Sequence, residues 1–390
     1  MDHTKRILVI KLQAYNNLSS SNMRMLAMMK GLYELGYSID LLCTPLSSVS
    51  YINDMSDYEF LNDVHIFNTQ QNVAYEKLVS TSDNSKKDSL KQKLLPVLRK
   101  VYHKFSLYTS SAKIAKRLNP DILPNKEYDY VISVSDPKIS QLGLKALIKN
   151  GLKAKKIIEY WGDPMTRDVT QKSIYPEFVI KREERKLLKI ADKIVYTSPF
   201  TLGMEKNLHP MLANRMMFVP TANAFKKIYE DTNNSVYVVG YYGAYNSWIR
   251  NIMPLYNAFA SLEGIAKLNL VGDSDLNLTE TNNVLVRPRG VVKDFEKQTD
   301  LFICVLNNSG TQIPGKLYHN AATNRPILVI LDGDQKESIK EYLSSFNRFY
   351  FCNNDEKDIV CSINKIIDEN KCWEPCSLLD PKRIAGRIIE

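Results

Sequence analysis

The sequence predicts an α/β protein made of two doubly wound, Rossmann-like domains facing each other across a cleft. Three observations predict it. Short, continuous, β-branched apolar runs alternate with helical patterns closed by glycine, the signature of βαβ units and parallel sheets. The alternation pauses at a polar, asparagine-rich stretch from Asn223 to Asn234 and then restarts. The chain has 390 residues, which suits two domains at roughly 150 residues each.

The elements follow in order. Ile7-Leu8-Val9-Ile10 reads as a buried strand, a polar loop follows, and Met23 to Leu35 reads as a helix that Gly36 terminates. Ser38 to Thr44 is a second strand and Val64 to Phe67 a third. From about Asn68 to Asn119 the alternation breaks. This stretch carries Lys86, Lys87, Lys91, Lys93, Arg99, Lys100, Lys104, Lys113, Lys116 and Arg117 against Asp88, with Leu94, Leu98, Val101, Tyr102 and Phe105 interleaved at near-helical spacing. A basic, aromatic-bearing amphipathic segment over 86–117 fits an anionic membrane surface, and it equally fits a surface helix packed on the sheet. Strands resume at Tyr130–Ser135, Lys156–Trp161 and Lys193–Ser198, separated by helices at Ser140–Asn150 and Pro176–Ile190. The second series opens with Val236–Gly243. A helix is expected near Met253–Ser261, and strands at Lys267–Val271, Val284–Val286, Leu301–Val305 and Pro326–Ile330. The domains are expected at 1–225 and 226–372, with a segment 373–390 packing back on the first domain.

Composition narrows the function classes. Hydrophobic residues make up 44% and charged residues 24%, which excludes a disordered or fibrous chain. No apolar run approaches the roughly 18 residues of a spanning helix. The N-terminal apolar stretch is too short for a signal-peptide core, so a cytoplasmic address is expected. Six thinly spread cysteines read as reduced thiols, and Cys372-Trp373-Glu374-Pro375-Cys376 lacks a nearby second Cys/His pair for zinc. The formal net charge of +9 favours a polyanionic partner, whether nucleic acid, an anionic membrane or a phosphorylated ligand.

Two loops carry the candidate chemistry. Ser309-Gly310-Thr311-Gln312-Ile313-Pro314-Gly315-Lys316 follows a buried strand and leads into a helix starting near Lys316. A helix start offers free N–H groups to a diphosphate, and a lysine there opposes the helix dipole unless an anion binds beside it. The backbone N–H groups of Ile313 and Gly315 belong to the same candidate seat. The second loop is Gly243-Ala244-Tyr245-Asn246-Ser247-Trp248-Ile249-Arg250-Asn251. Gly243 permits close approach of a ligand, and Arg250 offers a bidentate grip on phosphate. Asp273-Ser274-Asp275 mimics an acid-x-acid metal motif but follows Val271-Gly272 at a strand end, and reads as a turn.

In this order on one α/β half, the two loops resemble the donor-binding domain of GT-B glycosyltransferases, most closely the glycogen-synthase-like family 4. Gly243 matches the first glycine of that family's glycine-arginine…lysine-glycine element. Ala244 replaces the arginine, Arg250 stands at the lysine, and Asn251 replaces the last glycine. Thr311 and His319 fall at the two glutamate positions, and Ala321-Ala322 and Asn324-Arg325-Pro326 fit the tail that follows. Leu270-Val271-Gly272-Asp273 and Arg289-Gly290-Val291 are similar to the family's intervening strand ends. The tight motifs cover about fifty residues, as in a divergent bacterial polysaccharide-type branch.

The resemblance implies a nucleotide-sugar-dependent glycosyltransferase, hexosyl or related, acting in cell-surface glycan biosynthesis on a lipid-linked or polysaccharide acceptor. It implies no cofactor or metal, the nucleotide sugar being a substrate, and no nucleic-acid partner. The protein would be cytoplasmic and peripheral on the inner face of the membrane. The donor-binding set is then Gly243, Tyr245, Arg250, Gly290, Thr311, Ile313, Gly315, Lys316 and His319. His319 would bond a ribose hydroxyl and Thr311 a sugar hydroxyl. Lys316 and Arg250 would stabilise the charge growing on the leaving diphosphate without a metal. Asp163, just after the apolar strand that ends in Trp161, is the candidate acceptor-side base, while Glu159 within that strand suits a structural role. Two other readings stand beside this one: a nucleotide-sugar epimerase of the same fold, and a non-catalytic two-domain binder of small ligands or nucleic acid. Five histidines are few for an epimerase, and the basic residues follow no recognised nucleic-acid motif.

Overall fold

A computed structural model describes residues 5–17, 19–47, 54–68, 101, 104–108, 112–171, 173–232, 234–290 and 292–390. The chain divides into two compact units, residues 1–220 with 388–390, and residues 221–387. Residues 373–387 therefore group with the second unit and only the last three with the first. Most of the basic segment 86–117 lies outside the described residues.

The first unit holds a seven-stranded parallel sheet. Its strands are β1 (Arg6–Lys11), β2 (Ser38–Cys43), β3 (Asp63–Ile66), β4 (Glu127–Val134), β5 (Lys153–Trp161), β6 (Lys193–Tyr196) and β7 (Met216–Phe218), in the order β3-β2-β1-β4-β5-β6-β7. The second unit holds six parallel strands, β8 (Tyr237–Tyr242), β9 (Ala266–Val271), β10 (Val284–Arg287), β11 (Leu301–Val305), β12 (Ile327–Leu331) and β13 (Tyr350–Asn353), in the order β10-β9-β8-β11-β12-β13. Both sheets are doubly wound, so each has one point where the strand order reverses, between β1 and β4 and between β8 and β11. Ligands of such sheets bind outside the carboxyl ends of the strands at that point.

Local sequence explains the elements that frame these points. Ile7 to Ile10 are 0% exposed, and each buried aliphatic side chain contributes about 1.5–3 kcal/mol. Helix α1 (Ser20–Glu34) starts on Ser19, whose Oγ accepts from Asn22 N at 3.2 Å, and it ends before Gly36 at φ +87°, a left-handed conformation that glycine adopts at no steric cost. Helix α2 (Ile139–Lys149) follows β4 and α3 (Glu177–Leu188) follows β5. Beyond β13 the chain forms α4 (Glu356–Glu369), capped by Asp355, which accepts from Lys357 N and Asp358 N. Cys376 N donates to Ala321 O at 2.8 Å, and Leu379 O accepts from Asn223 N at 3.0 Å. These bonds seat the C-terminal segment on the second unit, and Lys156 Nζ reaches Ile389 O at 3.2 Å on the first. Among the described residues, no helix is long and apolar enough to cross a membrane.

Candidate functional site

In the second unit Gly243, Arg250 and Lys316 meet at the β8/β11 switch point. Gly243 follows β8 with φ +132°, and its N–H donates to Val271 O at the end of β9 at 2.7 Å. The Lys316 side chain lies directly on this glycine: a Cβ placed at Gly243 would sit 1.6 Å from Lys316 Nζ. Gly272 is equally constrained, since a Cβ there would fall 2.0 Å from Gly243 O. Gly243 thus leaves the space in which Lys316 lies, and Gly272 leaves room for the Gly243 backbone. Its ammonium is 4.6 Å from the centre of the Tyr241 ring, a cation–π distance.

Lys316 Nζ is buried without a hydrogen-bond partner. Burial first and Arg250 second pull its amine down to about 7, with Arg289 adding to them and Cys304 opposing. Arg250 Nη1 donates to Ala244 O at 2.8 Å, while its Nε is buried and unpaired. The structure therefore brings Gly243, Arg250 and Lys316 together and adds Arg289, which the sequence offers only within a strand-end motif. Arg289 pairs weakly with Asp273 at 3.9 Å. A buried cation facing further cations rather than a carboxylate is costly in the free protein, and an anionic ligand would relieve that cost.

The remaining candidates divide. Thr311, Ile313 and Gly315 lie on the loop after β11, and Gly290 lies on the loop after β10, beside Arg289. Lys316 and His319 belong to a helix of five residues, Lys316–Asn320. Such a helix makes about 1.4 turns, so the dipole at its start is a minor term and the side chain of Lys316 supplies the positive charge. The Tyr245 ring is 2% exposed in the apolar core, edge-on to Tyr241 at 6.0 Å, and packs the loop down. Asp275 accepts from Ser247 N at 2.7 Å and Oγ at 2.6 Å, which fixes the start of the arginine loop.

The first unit has its own polar centre at the β1/β4 switch point. Lys11 ends β1 fully buried and donates to Ser21 Oγ and Asp136 O. Arg24 of α1 donates to Ser135 O and lies 5.6 Å from the Tyr160 ring centre. A Cβ at Gly162 would clash with the Arg24 guanidinium at 2.3 Å. Lys138 binds both Asp136 at 2.7 Å and Asp168 at 2.8 Å. Asp163 stands among these groups, half-buried. Burial, then Asp136 and Asp168, push its carboxyl up to about 7, against Lys138 and Arg24. Of this cluster the sequence singles out Asp163 as a candidate, and the structure sets Lys11, Arg24, Asp136, Lys138 and Asp168 around it. A usable signal was present: Asp136-Pro137-Lys138 follows the carboxyl end of a strand as Gly162-Asp163-Pro164 does.

A second buried group lies behind β5 and β6. Glu184 accepts from Thr166 N at 3.2 Å, and its Oε2 lies 3.3 Å from His209 Nε2, which is 3.7 Å from Glu205. Glu184, Glu205 and His209 are the one set with metal-ligand spacing among the described residues. Burial pushes Glu205 up to about 9, with Glu184 adding to it. Burial also pushes Glu159 up to about 8, against the bond from Trp161 Nε1 at 2.9 Å. At Glu205 and Glu159 burial thus favours the protonated carboxyl.

The two-sheet architecture is that of the GT-B fold, two Rossmann-like domains in one chain. No family model matches the chain, and no curated protein matches it in sequence. Among solved structures it is similar to TarM, with a TM-score of 0.56 and 9% identity over 100% of this chain and 95% of TarM. It is also similar to Anabaena HepE (Alr3699) in complex with UDP, with a TM-score of 0.54 and 12% identity over 99% and 94%. A UDP-N-acetylglucosamine 2-epimerase matches with a TM-score of 0.51 and 12% identity over 100% and 95%. At these identities the likeness establishes the fold.

Proposed function

We propose that the protein is a metal-independent glycosyltransferase that moves a sugar, hexosyl or related, from a nucleotide-sugar donor to a lipid-linked or polysaccharide acceptor of the cell surface. One observation carries this reading: the buried ammonium of Lys316, set on Gly243 beside Arg250 at a switch point and lacking a carboxylate partner. This is a site for a polyanion, and a diphosphate is the leaving group that such cations stabilise as the glycosidic bond breaks. The electron pair of that bond passes to the diphosphate, the acceptor oxygen attacks the freed carbon, and Asp163 takes the hydroxyl proton. Thr311, His319, Gly290 and the N–H groups of Ile313 and Gly315 complete the donor set. HepE with UDP bound, on the same fold, supports a nucleotide ligand.

The test is a melting-temperature screen against nucleoside diphosphates and nucleotide sugars, followed by product analysis. A ligand at 100 times its Kd stabilises the folded state by about 2.7 kcal/mol. One nucleotide is expected to raise the melting temperature, and its sugar to appear on an added acceptor. No shift with any nucleotide defeats the reading. The epimerase-like relative sharing the fold makes a second outcome concrete: conversion of the sugar within the nucleotide sugar, without acceptor, would replace transfer by epimerisation.

We assign the first unit a place on an anionic membrane surface, on the cytoplasmic side. Phe105 is 61% exposed, Ile174 56% and Phe178 71%. Ile174 N bonds Lys104 O at 2.9 Å and Tyr175 Oη reaches Phe105 O at 3.4 Å, which places these side chains on neighbouring segments. Lys104, Arg182 and Arg185 are exposed around them, and each basic residue near anionic lipid contributes about 1 kcal/mol. Phe105→Ser with Phe178→Ser is expected to cut pelleting with phosphatidylglycerol vesicles about tenfold, by loss of two inserted rings. Equal pelleting of wild type and variant would refute the assignment.

A further inference from the structure

The loop that joins β11 to Lys316 carries a second kind of unpaired polar group. Gln312 is 8% exposed, and both its Oε1 and its Nε2 are buried without a hydrogen-bond partner. Asn307, five residues earlier on the same loop, has a buried Oδ1 in the same condition, while its Nδ2 is turned to Gln312 O at 3.5 Å. The loop is held in place. Asn308 N donates to Ile249 O at 2.8 Å, which ties it to the Arg250 loop. Gly333, at φ +78°, packs so tightly that a Cβ there would fall 2.6 Å from Asn307 O. Unpaired buried groups are uncommon, and each one asks for an explanation.

The chemistry of the unpaired atoms separates two halves of the site. Lys316 Nζ and Arg250 Nε can only donate, as a diphosphate requires. Gln312 Oε1 and Asn307 Oδ1 can only accept. An ionised phosphate has no proton to give them, whereas a ring hydroxyl does. Gln312 Nε2 can in turn donate to a hydroxyl oxygen, so one carboxamide can satisfy a pair of neighbouring hydroxyls. We propose that Gln312 and Asn307 form a hydroxyl-reading subsite that accepts hydrogen bonds from a sugar ring of the bound nucleotide sugar and determines which ring is accepted. The proposal rests on the nucleotide-sugar reading above. The ring is either the nucleoside ribose or the transferred sugar, and the experiment distinguishes them.

The test uses the full chain and isothermal titration with UDP, 2′-deoxy-UDP, UDP-glucose and UDP-N-acetylglucosamine, on wild type and on Gln312→Met. Methionine keeps the length of the side chain and removes both polar atoms, so an unchanged or raised melting temperature verifies the fold. The variant is expected to lose at least tenfold in affinity, about 1.4 kcal/mol, for the ligand whose hydroxyls it reads. Loss for UDP-sugars alone places the transferred sugar at Gln312. Loss for UDP as well, with the wild-type preference for UDP over 2′-deoxy-UDP abolished, places the ribose there. Affinities within twofold of wild type for every ligand overturn the subsite while leaving the diphosphate site intact. If the wild type binds none of the four, the same titrations are run with the nucleotide that the melting screen selects; if that screen selects none, the nucleotide-sugar reading itself falls, and the subsite with it.

Discussion

Lys316→Ala is expected to lower donor turnover by roughly 10²–10³-fold, the loss seen when one preorganised donor to a developing oxyanion is removed. The same change is expected to leave the fold intact and to raise the melting temperature at or below neutral pH. The reason is the environment of the amine. Burial and Arg250 draw it down to about 7, so the folded state binds that proton less well than the unfolded chain does. Below pH 7 the folded protein carries a buried charge at a penalty. The penalty starts to fall above pH 7 and is gone only near the ordinary amine value of 10.5, and alanine removes it altogether. A bound diphosphate reverses the preference and raises the amine. Donor binding near pH 8 is therefore accompanied by proton uptake, measurable by titration in buffers of different ionisation enthalpy. Wild-type turnover in Lys316→Ala, or binding without proton exchange, would remove Lys316 from the site. Stability gained on deleting a polar group, with activity lost, is what a binding group held at a cost in the free protein produces.

Asp163→Asn is expected to lower the rate of transfer by roughly 10²–10⁴-fold, the usual contribution of a positioned base, while donor binding measured by titration stays within a few-fold of wild type. The pH profile is the sharper readout. Burial, with Asp136 and Asp168 beside it, holds the Asp163 carboxyl near 7, so the wild-type rate should rise through pH 7 and level off above it. Asparagine has no such step. The stability change has a defined sign. A carboxyl raised in the folded state contributes stability at low pH that is lost as pH climbs through 7. Asparagine mimics the protonated form, and the variant should melt higher than wild type at pH 8. A retained step near pH 7 in the variant would assign the titration to another group.

The residues that meet at the β8/β11 switch point are legible in the primary structure because they are local. Gly243 and Arg250 lie on one loop, and Gly315 and Lys316 on another, each directly after an apolar strand, so strand ends and loop composition point to them. Tyr245 shows where that reasoning stops. An aromatic residue in a ligand loop reads as a contact residue, but whether its ring turns outward or into the core is decided by Tyr241 and the strands beneath it. Arg289 was quoted in the sequence reading only as part of a resemblance, since its effect on Lys316 depends on the adjacency of β8, β9 and β10. β13 and the helices beyond β12 carry no element assignment in the sequence analysis, although Tyr350–Asn353 has the apolar character of a short strand.

Sequence by itself determined the fold class and the two-sheet plan, because alternating apolar runs and glycine stops report on each element independently of the others. It also determined that a lysine and an arginine follow the strands that open and support the second sheet. The tertiary structure alone decided that Lys316 lies on Gly243 without a carboxylate. It alone gathered Lys11, Arg24, Asp136, Lys138, Asp163 and Asp168 from four separate segments. Charge, burial and hydrogen bonding act through space over a few ångströms, and in a parallel sheet residues more than a hundred positions apart, such as Lys11 and Asp136, are brought within that range only when the strands pair.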